Sequence, residues 1–390
     1  MGMEYPYKTV ILKRAESNVM NVGKTKSNKQ FMLLTFLGIL FMLDDHSGHS
    51  FNLFANIFPY NSFYMPLFFF ISGYFCNIKS ILNGNLVSFL KRKTNHLFVP
   101  YIIINVCFGI ITIIINNLFQ TKWNTAYPFG NNNFFSWITY GTPIDLSSSM
   151  WFVICLFETV VAYSIIRTIF KNLSNEISWG IIFCIISIFS VYLSRLGYSE
   201  EECLLPLLKI MFFLFYYQCG VIFKIKQSFF DKNICLIGGG AVAVNIIILQ
   251  ILRPNDICFN SLAFMRGFQT DFFFLPVITS LSGILFWYCL SKLFYKPLGD
   301  VIIVNKISNN SLYILAFHLA FFNIFNFMLY YIYGTTFDIY TFQKSAWYLF
   351  LNNPSFKLIY FFFGLIGSLL LREVVIKIEE FIMYNTMHTS

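Results

Sequence analysis

Apolar runs of about 20 residues, separated by polar or turn-forming clusters, recur along almost the whole chain. A helix of that length crosses about 30 Å of hydrocarbon. Ten such runs predict transmembrane helices at residues 31–50, 58–78, 97–119, 149–168, 178–194, 204–223, 233–252, 271–291, 311–333 and 355–376. The pattern therefore predicts an all-α, polytopic membrane helix bundle. Its single transmembrane domain, residues 31–378, lies between an N-terminal tail, residues 1–30, and a C-terminal tail, residues 379–390.

The basic residues are shared unequally between the two sides of this predicted bundle. Twenty of the 27 Lys and Arg residues fall on the side of the N-terminus, six fall on the other side, and Lys209 falls inside a span. Because cytoplasmic loops carry the excess of Lys and Arg, both termini are predicted to be cytoplasmic. The basic N-terminal tail has no early apolar core, so it does not resemble a cleavable signal peptide.

Composition agrees with a membrane protein and excludes several soluble classes. The chain is 57% hydrophobic and only 12% charged, with mean hydropathy +0.65, whereas soluble domains carry roughly 25% charged residues. Walker, GxGxxG and HExxH motifs are absent, so an ATPase, a nicotinamide-dependent enzyme and a zincin find no support. Fifty Phe residues with much Ile, Asn and Lys favour a bacterial source, hence a bacterial plasma membrane.

The nine cysteines show neither a CxxC motif nor Cys/His metal spacing, and no metal site or nucleic-acid partner is expected. Cys203 and Cys258 fall in predicted external segments. They could form a disulfide or remain two unpaired thiols.

The first predicted span ends in a run of polar residues, LGILFMLDDHSGHS, residues 37–50. Two carboxylates and two imidazoles there would each cost a few kcal/mol unless they face a cavity or each other, so a function is the default hypothesis. Asp45 and His49 are spaced i,i+4, and a carboxylate beside an imidazole can fix its tautomer and leave the other nitrogen as a general base. The candidate catalytic residues are His46, Asp45, His49 and Asp44. The alternative is that the helix ends near Leu43 and the polar run is a hydrated loop.

Other ionisable residues fall within predicted spans. His318 lies in SLYILAFHLAFF and could contact substrate or simply satisfy its own packing. Glu158 and Lys209 are single charges of opposite sign, which could pair structurally.

Three segments outside the hydrocarbon core suggest ligands. The cytoplasmic run KRKTNH contains Lys91, Arg92 and Lys93, which could bind the phosphates of acyl-CoA or merely anchor the helix. The external segments 120–148 and 334–354 are rich in Asn, Thr, Tyr and Trp, which would suit a glycan acceptor but also an interfacial belt.

Several segments, in the same order along the chain, resemble the acyltransferase-3 family of integral membrane acyltransferases. They are the His of the first span, PYNSFYMPLFFFISGYF at residues 59–75, KRKTNHLFVPY at residues 91–101, MWFVICLF at residues 150–157 and SLYILAFHLAFF at residues 311–322. The resemblance implies a bundle of about ten helices. It also implies transfer of an acyl group, usually acetyl, from cytoplasmic acyl-CoA to a hydroxyl of an extracytoplasmic glycan.

The resemblance also selects residues. His46 fits the family's distance to the MPLFFFISG segment better than His49 does, and Ser72 and Gly73 match the family's SG pair. Tyr74, Trp151 and His318 lie in the matching segments and are expected, with Ser72 and Gly73, to contact substrate. The family's first-span motif places a basic residue with ten residues between it and the His, but this chain has Thr35 there; Arg92, Lys93 or Lys209 could take its place.

The function expected from these features is a membrane-bound O-acyltransferase, most often an O-acetyltransferase, with His46 as general base. It would use acyl-CoA as co-substrate, hold no permanently bound cofactor, and act on a glycan or another hydroxyl-bearing acceptor. Two alternatives stay open at this point. One is a transporter or flippase for a glycan or lipid-linked precursor, with the Asp/His cluster as a proton relay. The other is a catalytically degenerate acyltransferase-like membrane protein.

Overall fold

The computed structural model describes residues 28–51, 53–121, 123, 144–200, 204–251, 272–333 and 354–388, and the elements within these ranges are helical. The α-helices are α1 Lys29–Ser47, α2 Tyr60–Tyr74, α3 Ile78–Leu82, α4 Leu86–Lys93, α5 Val99–Phe119, α6 Trp151–Ile169, α7 Glu176–Arg195, α8 Leu205–Ile225, α9 Gln227–Lys232, α10 Ile234–Ile251, α11 Leu275–Leu298, α12 Ile302–Asn309, α13 Ser311–Tyr333 and α14 Pro354–His388. A π-helical turn, Thr94–Phe98, joins α4 to α5, and short 3₁₀ turns lie at Asp145–Met150 and Tyr198–Glu200.

The predicted all-α, multi-pass class is confirmed. Each of the ten predicted spans coincides with a helix, namely α1, α2, α5, α6, α7, α8, α10, α11, α13 and α14. Within the described residues, seven helices are long and apolar enough to cross a membrane: Leu86–Phe119, Asp145–Ile169, Glu176–Arg195, Leu205–Ile225, Leu275–Leu298, Ser311–Ile332 and Phe356–Phe381. The α2 helix has only 15 residues, shorter than its predicted span. The count of ten spans and the cytoplasmic placement of the termini stay predictions.

Local sequence signals explain where these helices begin and end. The Asn28 side chain accepts a hydrogen bond from the Phe31 amide and caps the start of α1. Gly48, with φ 95°, ends α1 in the left-handed conformation that glycine adopts without a steric penalty. A proline stands in the first turn of α5, α8 and α11, where a missing N–H costs nothing.

Two glycines allow α2 and α8 to cross in backbone contact. A Cβ built on Gly73 would lie 1.9 Å from the carbonyl oxygen of Tyr217, and one built on Gly220 would lie 2.0 Å from the carbonyl oxygen of Phe70. Small residues are what allow membrane helices to approach so closely. The α2–α8 crossing helps to bury most of α2, the neighbour of α1.

Ion pairs and hydrogen bonds distinguish the two ends of α1. At the Lys29 end, the Lys29 ammonium lies 2.5 Å from the Asp300 carboxylate. The Lys292 ammonium, on α11, pairs with Asp231 at 2.7 Å, and Gln30 of α1 reaches the α11 carbonyl of Tyr288. The opposite end of α1, the Ser47 end, carries the Asp/His run.

Some predictions fall wholly or mostly outside the described residues. Cys203 and Cys258 do so, as do residues 1–27 and nearly all of the external segments 120–148 and 334–354. The α14 helix continues to His388, through most of the segment expected as a C-terminal tail.

Candidate functional site

The α1 helix does not end at Leu43. It continues to Ser47, so Asp44, Asp45 and His46 are helical residues. His49 lies beyond the Gly48 cap with φ 60°. The alternative of a loop starting after Leu43 is therefore wrong for His46, while His49 does belong to the connection that follows.

Asp44 is buried and binds the backbone of this connection. Its Oδ1 accepts hydrogen bonds from the Ser50 amide at 2.7 Å and from the Phe51 amide at 3.1 Å. A carboxylate that accepts backbone N–H groups fixes a loop, because charge-assisted hydrogen bonds are the strong ones. Asp44 therefore stabilises the connection that follows α1.

Asp45 points to a different set of partners. Its Oδ1 lies 3.3 Å from His49 Nε2, which realises the expected i,i+4 carboxylate–imidazole pair. Its Oδ2 accepts a hydrogen bond from the Tyr64 hydroxyl of α2 at 3.2 Å. Asp45 therefore joins the end of α1 to the following connection through His49 and to α2 through Tyr64.

His46 has another histidine as its hydrogen-bond partner. Its Nδ1 lies 2.7 Å from Nε2 of His318 on α13, and the two rings are nearly parallel, 8° apart, with centroids separated by 5.0 Å. Nε2 of His46 has no hydrogen-bond partner among the residues that the structure describes. The sequence singled out both histidines but did not indicate that they meet.

The two rings differ in burial. His318 is fully buried, and its Nδ1 lies 2.9 Å from the carbonyl oxygen of Ile314 on its own helix. His46 is partly exposed. Of the pair, His46 is the residue that retains exposed surface.

Trp151 stands at the start of α6, which is tied to α13 close to His318. The Ser149 hydroxyl donates a 2.6 Å hydrogen bond to the carbonyl oxygen of Leu315, one turn before His318. The Trp151 ring is buried, and the buried ammonium of Lys209 lies 5.2 Å from its centroid, within cation–π range.

Glu158 lies on α6, and Lys209 lies on α8. No ion pair within 4 Å joins these two side chains in the described part of the chain. The possible pair of Glu158 and Lys209 is therefore not formed at ion-pair distance in this structure.

The SG pair and Tyr74 lie far from His46. The α8 backbone at Tyr217 packs directly against Gly73. The Tyr74 ring stacks on Phe31 with centroids 3.7 Å apart. The Tyr74 hydroxyl donates to Gln227 at 2.9 Å. His46 follows Phe31 by 15 residues in α1, roughly 22 Å along a helix. Ser72, Gly73 and Tyr74 are therefore placed towards the Lys29 end and not beside the histidine pair.

Lys91, Arg92 and Lys93 are the last three residues of α4, directly before the π-helical turn. Lys91 and Arg92 are exposed, while Lys93 is partly buried with its ammonium 5.8 Å from the Phe89 ring centroid. An exposed guanidinium and ammonium side by side can meet a phosphate from solution.

Cys76, in the connection between α2 and α3, is the buried thiol close to this basic region. The Lys224 ammonium of α8 donates a 3.0 Å hydrogen bond to the carbonyl oxygen of Cys76.

The candidate catalytic feature is the pair of His46 and His318 at the Ser47 end of α1. His46 is partly exposed, His318 is buried, and both lie within an apolar helix bundle. A family model described as an acyltransferase domain matches residues 32–373. The chain belongs to the acyltransferase-3 family. Comparison with curated proteins and with solved structures found no match. The resemblance expected from the sequence is thereby confirmed over nearly the whole chain, and the matched range of this acyltransferase-3 protein includes both His46 and His318.

Sequence reasoning missed Tyr64 as a partner of Asp45. The side chain lies in the SFYMPLF stretch that carries the resemblance, but nothing in its spacing points towards α1. Among the described residues, no group of three or more His, Cys, Asp and Glu side chains could hold a metal ion.

Proposed function

We propose that this acyltransferase-3 protein is a membrane O-acyltransferase that moves an acyl group, in the first instance acetyl, from cytoplasmic acyl-CoA to a hydroxyl of a cell-surface or exported glycan. The membrane is proposed to be a bacterial plasma membrane. The family supports acyl transfer, and the acceptor class follows from the resemblance.

The observation that carries the assignment is the state of His46. His46 is a partly exposed residue inside a membrane bundle, with one ring nitrogen bonded to His318 and the other without a protein partner in the described residues. An ionisable side chain in such a place is costly to keep unless it has a function. An imidazole so placed is suited to general-base catalysis.

The reaction needs one proton acceptor. The acceptor hydroxyl gives its proton to His46 while its oxygen attacks the thioester carbonyl carbon. The carbon–sulfur bond then breaks, and the departing CoA thiolate takes the proton from the imidazolium to leave as free thiol. General-base catalysis of this kind contributes about 10²- to 10⁴-fold.

The donor is proposed to bind with its phosphates near Lys91 and Arg92. Both side chains are exposed on α4, and a guanidinium can engage two phosphate oxygens at once. Acyl-CoA leaves after each turnover and is a co-substrate, not a resident cofactor.

The experiment is transfer from radiolabelled acetyl-CoA by the purified protein in lipid vesicles, measured as free CoA released and as label in host cell-envelope glycan added to the assay. His46→Ala should lower turnover by about 10²-fold or more. His49→Ala is the matched control, because His49 lies in the same polar run, beyond the end of α1, but makes its contact to Asp45. It should keep turnover within a few-fold of the original protein.

Retained turnover in His46→Ala would overturn the assignment of the base. Absence of CoA release and of acetyl-CoA binding in folded protein would overturn the acyltransferase. The transporter alternative predicts proton-coupled flux without consumption of the thioester.

A further inference from the structure

The contacts of His318 define a chain of hydrogen bonds with a direction. We propose that His318 is a positioning residue that holds a proton on Nδ1 of His46 and thereby makes Nε2 of His46 the basic nitrogen. This inference rests on the proposed function of His46 as the general base.

The donor and acceptor of each hydrogen bond follow from the contact between His318 and the backbone of α13. The Ile314 carbonyl oxygen can only accept, and it lies 2.9 Å from Nδ1 of His318, so that nitrogen carries a proton and donates. A neutral imidazole has one donor and one acceptor, which makes Nε2 of His318 the acceptor. The partner at 2.7 Å is Nδ1 of His46, which must then be the donor.

The tautomer of His46 follows from this. With its proton on Nδ1, its lone pair is on Nε2, the nitrogen without a hydrogen-bond partner in the described residues. A hydrogen bond donated by one imidazole nitrogen also raises the basicity of the other, as second-layer carbonyl and carboxylate partners do for metal-binding histidines.

The opposite direction needs a charged His318. If Nε2 of His318 donated to His46 while Nδ1 donated to Ile314, the ring would be an imidazolium. The site is fully buried, with the Phe322 ring 5.6 Å away in an edge-on arrangement, and the carboxylate of Asp45 bonds to Tyr64 and His49 instead. An unpaired charge in such surroundings is far costlier than a neutral ring.

His318 acts through His46 because it cannot touch the substrate itself. It is 0% exposed, and its two nitrogens both have partners. The hydrogen bond to His318 sets the position of Nδ1 of His46 and, with it, the direction of Nε2. The expectation that His318 contacts substrate is therefore replaced by a proposal that it orients the base.

The first test reads the tautomer directly. The chain has five histidines, so ¹⁵N-histidine labelling of the full protein in nanodiscs gives a spectrum that single substitutions can assign. The expected signals for His46 are a protonated Nδ1 and an unprotonated Nε2. A protonated Nε2 with a bare Nδ1 on His46 would overturn the proposal, whatever the variants do.

The second test uses two substitutions at one position. His318→Leu removes the acceptor and should lower kcat by about 10- to 100-fold while KM for acetyl-CoA stays unchanged. His318→Gln can offer its amide oxygen to Nδ1 of His46 and should recover at least part of kcat. Asn323→Leu is the matched control on α13: Asn323 is buried and bonds to the Leu319 carbonyl at 2.9 Å, so its loss should leave kcat unchanged.

The roles proposed for His46 and His318 can be refuted separately. If His46→Ala is inactive but folded His318→Leu turns over normally, the positioning role is wrong and the proposed base stands. If His46→Ala is active, the proposed base itself is wrong. If His318→Leu does not fold, His318→Gln and the spectrum of the unsubstituted protein still decide.

Discussion

The carboxylate of Asp44 holds the backbone amide of Ser50 at 2.7 Å, six residues further along the chain. It also accepts from the Phe51 amide, so one buried side chain fixes the connection that leaves α1. Asp44 is one of the candidate catalytic residues, yet these two contacts are those of a loop cap.

Asp44→Ala is therefore expected to destabilise the fold. Two backbone N–H groups lose a charged acceptor, which costs about 2 kcal/mol. The measurement is equilibrium unfolding in mixed micelles. Asp44→Asn keeps one acceptor oxygen, so its stability should lie between those of Asp44→Ala and the original protein. At a temperature where both variants are folded, their kcat should stay within a few-fold of that of the original protein. A loss of kcat as deep as that of His46→Ala in folded Asp44→Asn would show that Asp44 takes part in the chemistry.

The helices of this protein could be predicted because each apolar run is long and bounded by polar or turn-forming residues. The end of α1 is an example: Gly48 follows the polar residues and stops the helix in a left-handed turn, so His46 is helical and His49 is not. The run itself, however, allowed an end anywhere from Leu43 onwards. Hydrogen bonds to the Asp44 carboxylate and the Gly48 conformation decide between these ends, and neither is written in the hydrophobic pattern.

The partner of His46 could not be predicted for a different reason. His318 is 272 residues away, and pairing across that distance depends on how α1 and α13 pack. Helical periodicity indicates which residues share a face of one helix, not which faces meet. The same holds for Gly73, whose close approach to Tyr217 explains an SG pair that the sequence also allowed as a ligand contact.

Alanine at Gly73 or Gly220 should prevent α2 and α8 from crossing as they do. The added Cβ would lie 1.9 Å or 2.0 Å from a backbone oxygen, and backbone cannot move aside as a flexible side chain can. We expect loss of folded monodisperse protein, seen by fluorescence-detected size exclusion.

Gly239→Ala is the matched control for that crossing. Gly239 is also a glycine inside a helix, but a Cβ there meets nothing within 4 Å. The substitution should be neutral or stabilising by up to about 1 kcal/mol, because Ala is the better helix former. Normal yield from Gly73→Ala would contradict the crossing.

Arg167 should be one of the side chains on which stability depends most. It is fully buried, its guanidinium binds both oxygens of Glu176 at 2.6 and 2.7 Å, and the Trp179 ring centroid lies 5.0 Å from its Cζ. Arg167→Met leaves the Glu176 carboxylate without its cation and should cost about 3–5 kcal/mol. Equilibrium unfolding measures the loss.

Two further variants separate the charge from the packing. Arg167→Met combined with Glu176→Gln should be more stable than Arg167→Met alone, because no uncompensated charge remains. Lys29→Ala removes the exposed Lys29–Asp300 pair and should cost at most about 1 kcal/mol. Equal losses from Lys29→Ala and Arg167→Met would show that burial does not set the value of the Arg167 pair.

The proposed donor site predicts a specific change in kinetics. Lys91 and Arg92 are exposed and, within the described part of the chain, make no contact with the histidine pair. Lys91→Ala with Arg92→Ala should therefore raise KM for acetyl-CoA by about tenfold, the value of roughly 1.4 kcal/mol of lost binding, and leave kcat unchanged. The measurement is initial rate against acetyl-CoA concentration at two ionic strengths. Because salt screens charge–phosphate attraction, KM of the original protein should rise with salt more steeply than that of the variant.

Lys79→Ala, which removes an exposed lysine one short helix earlier, is the control and should leave KM as it is. If the double variant keeps both its KM and its salt dependence, Lys91 and Arg92 serve only to anchor α4 at the membrane surface.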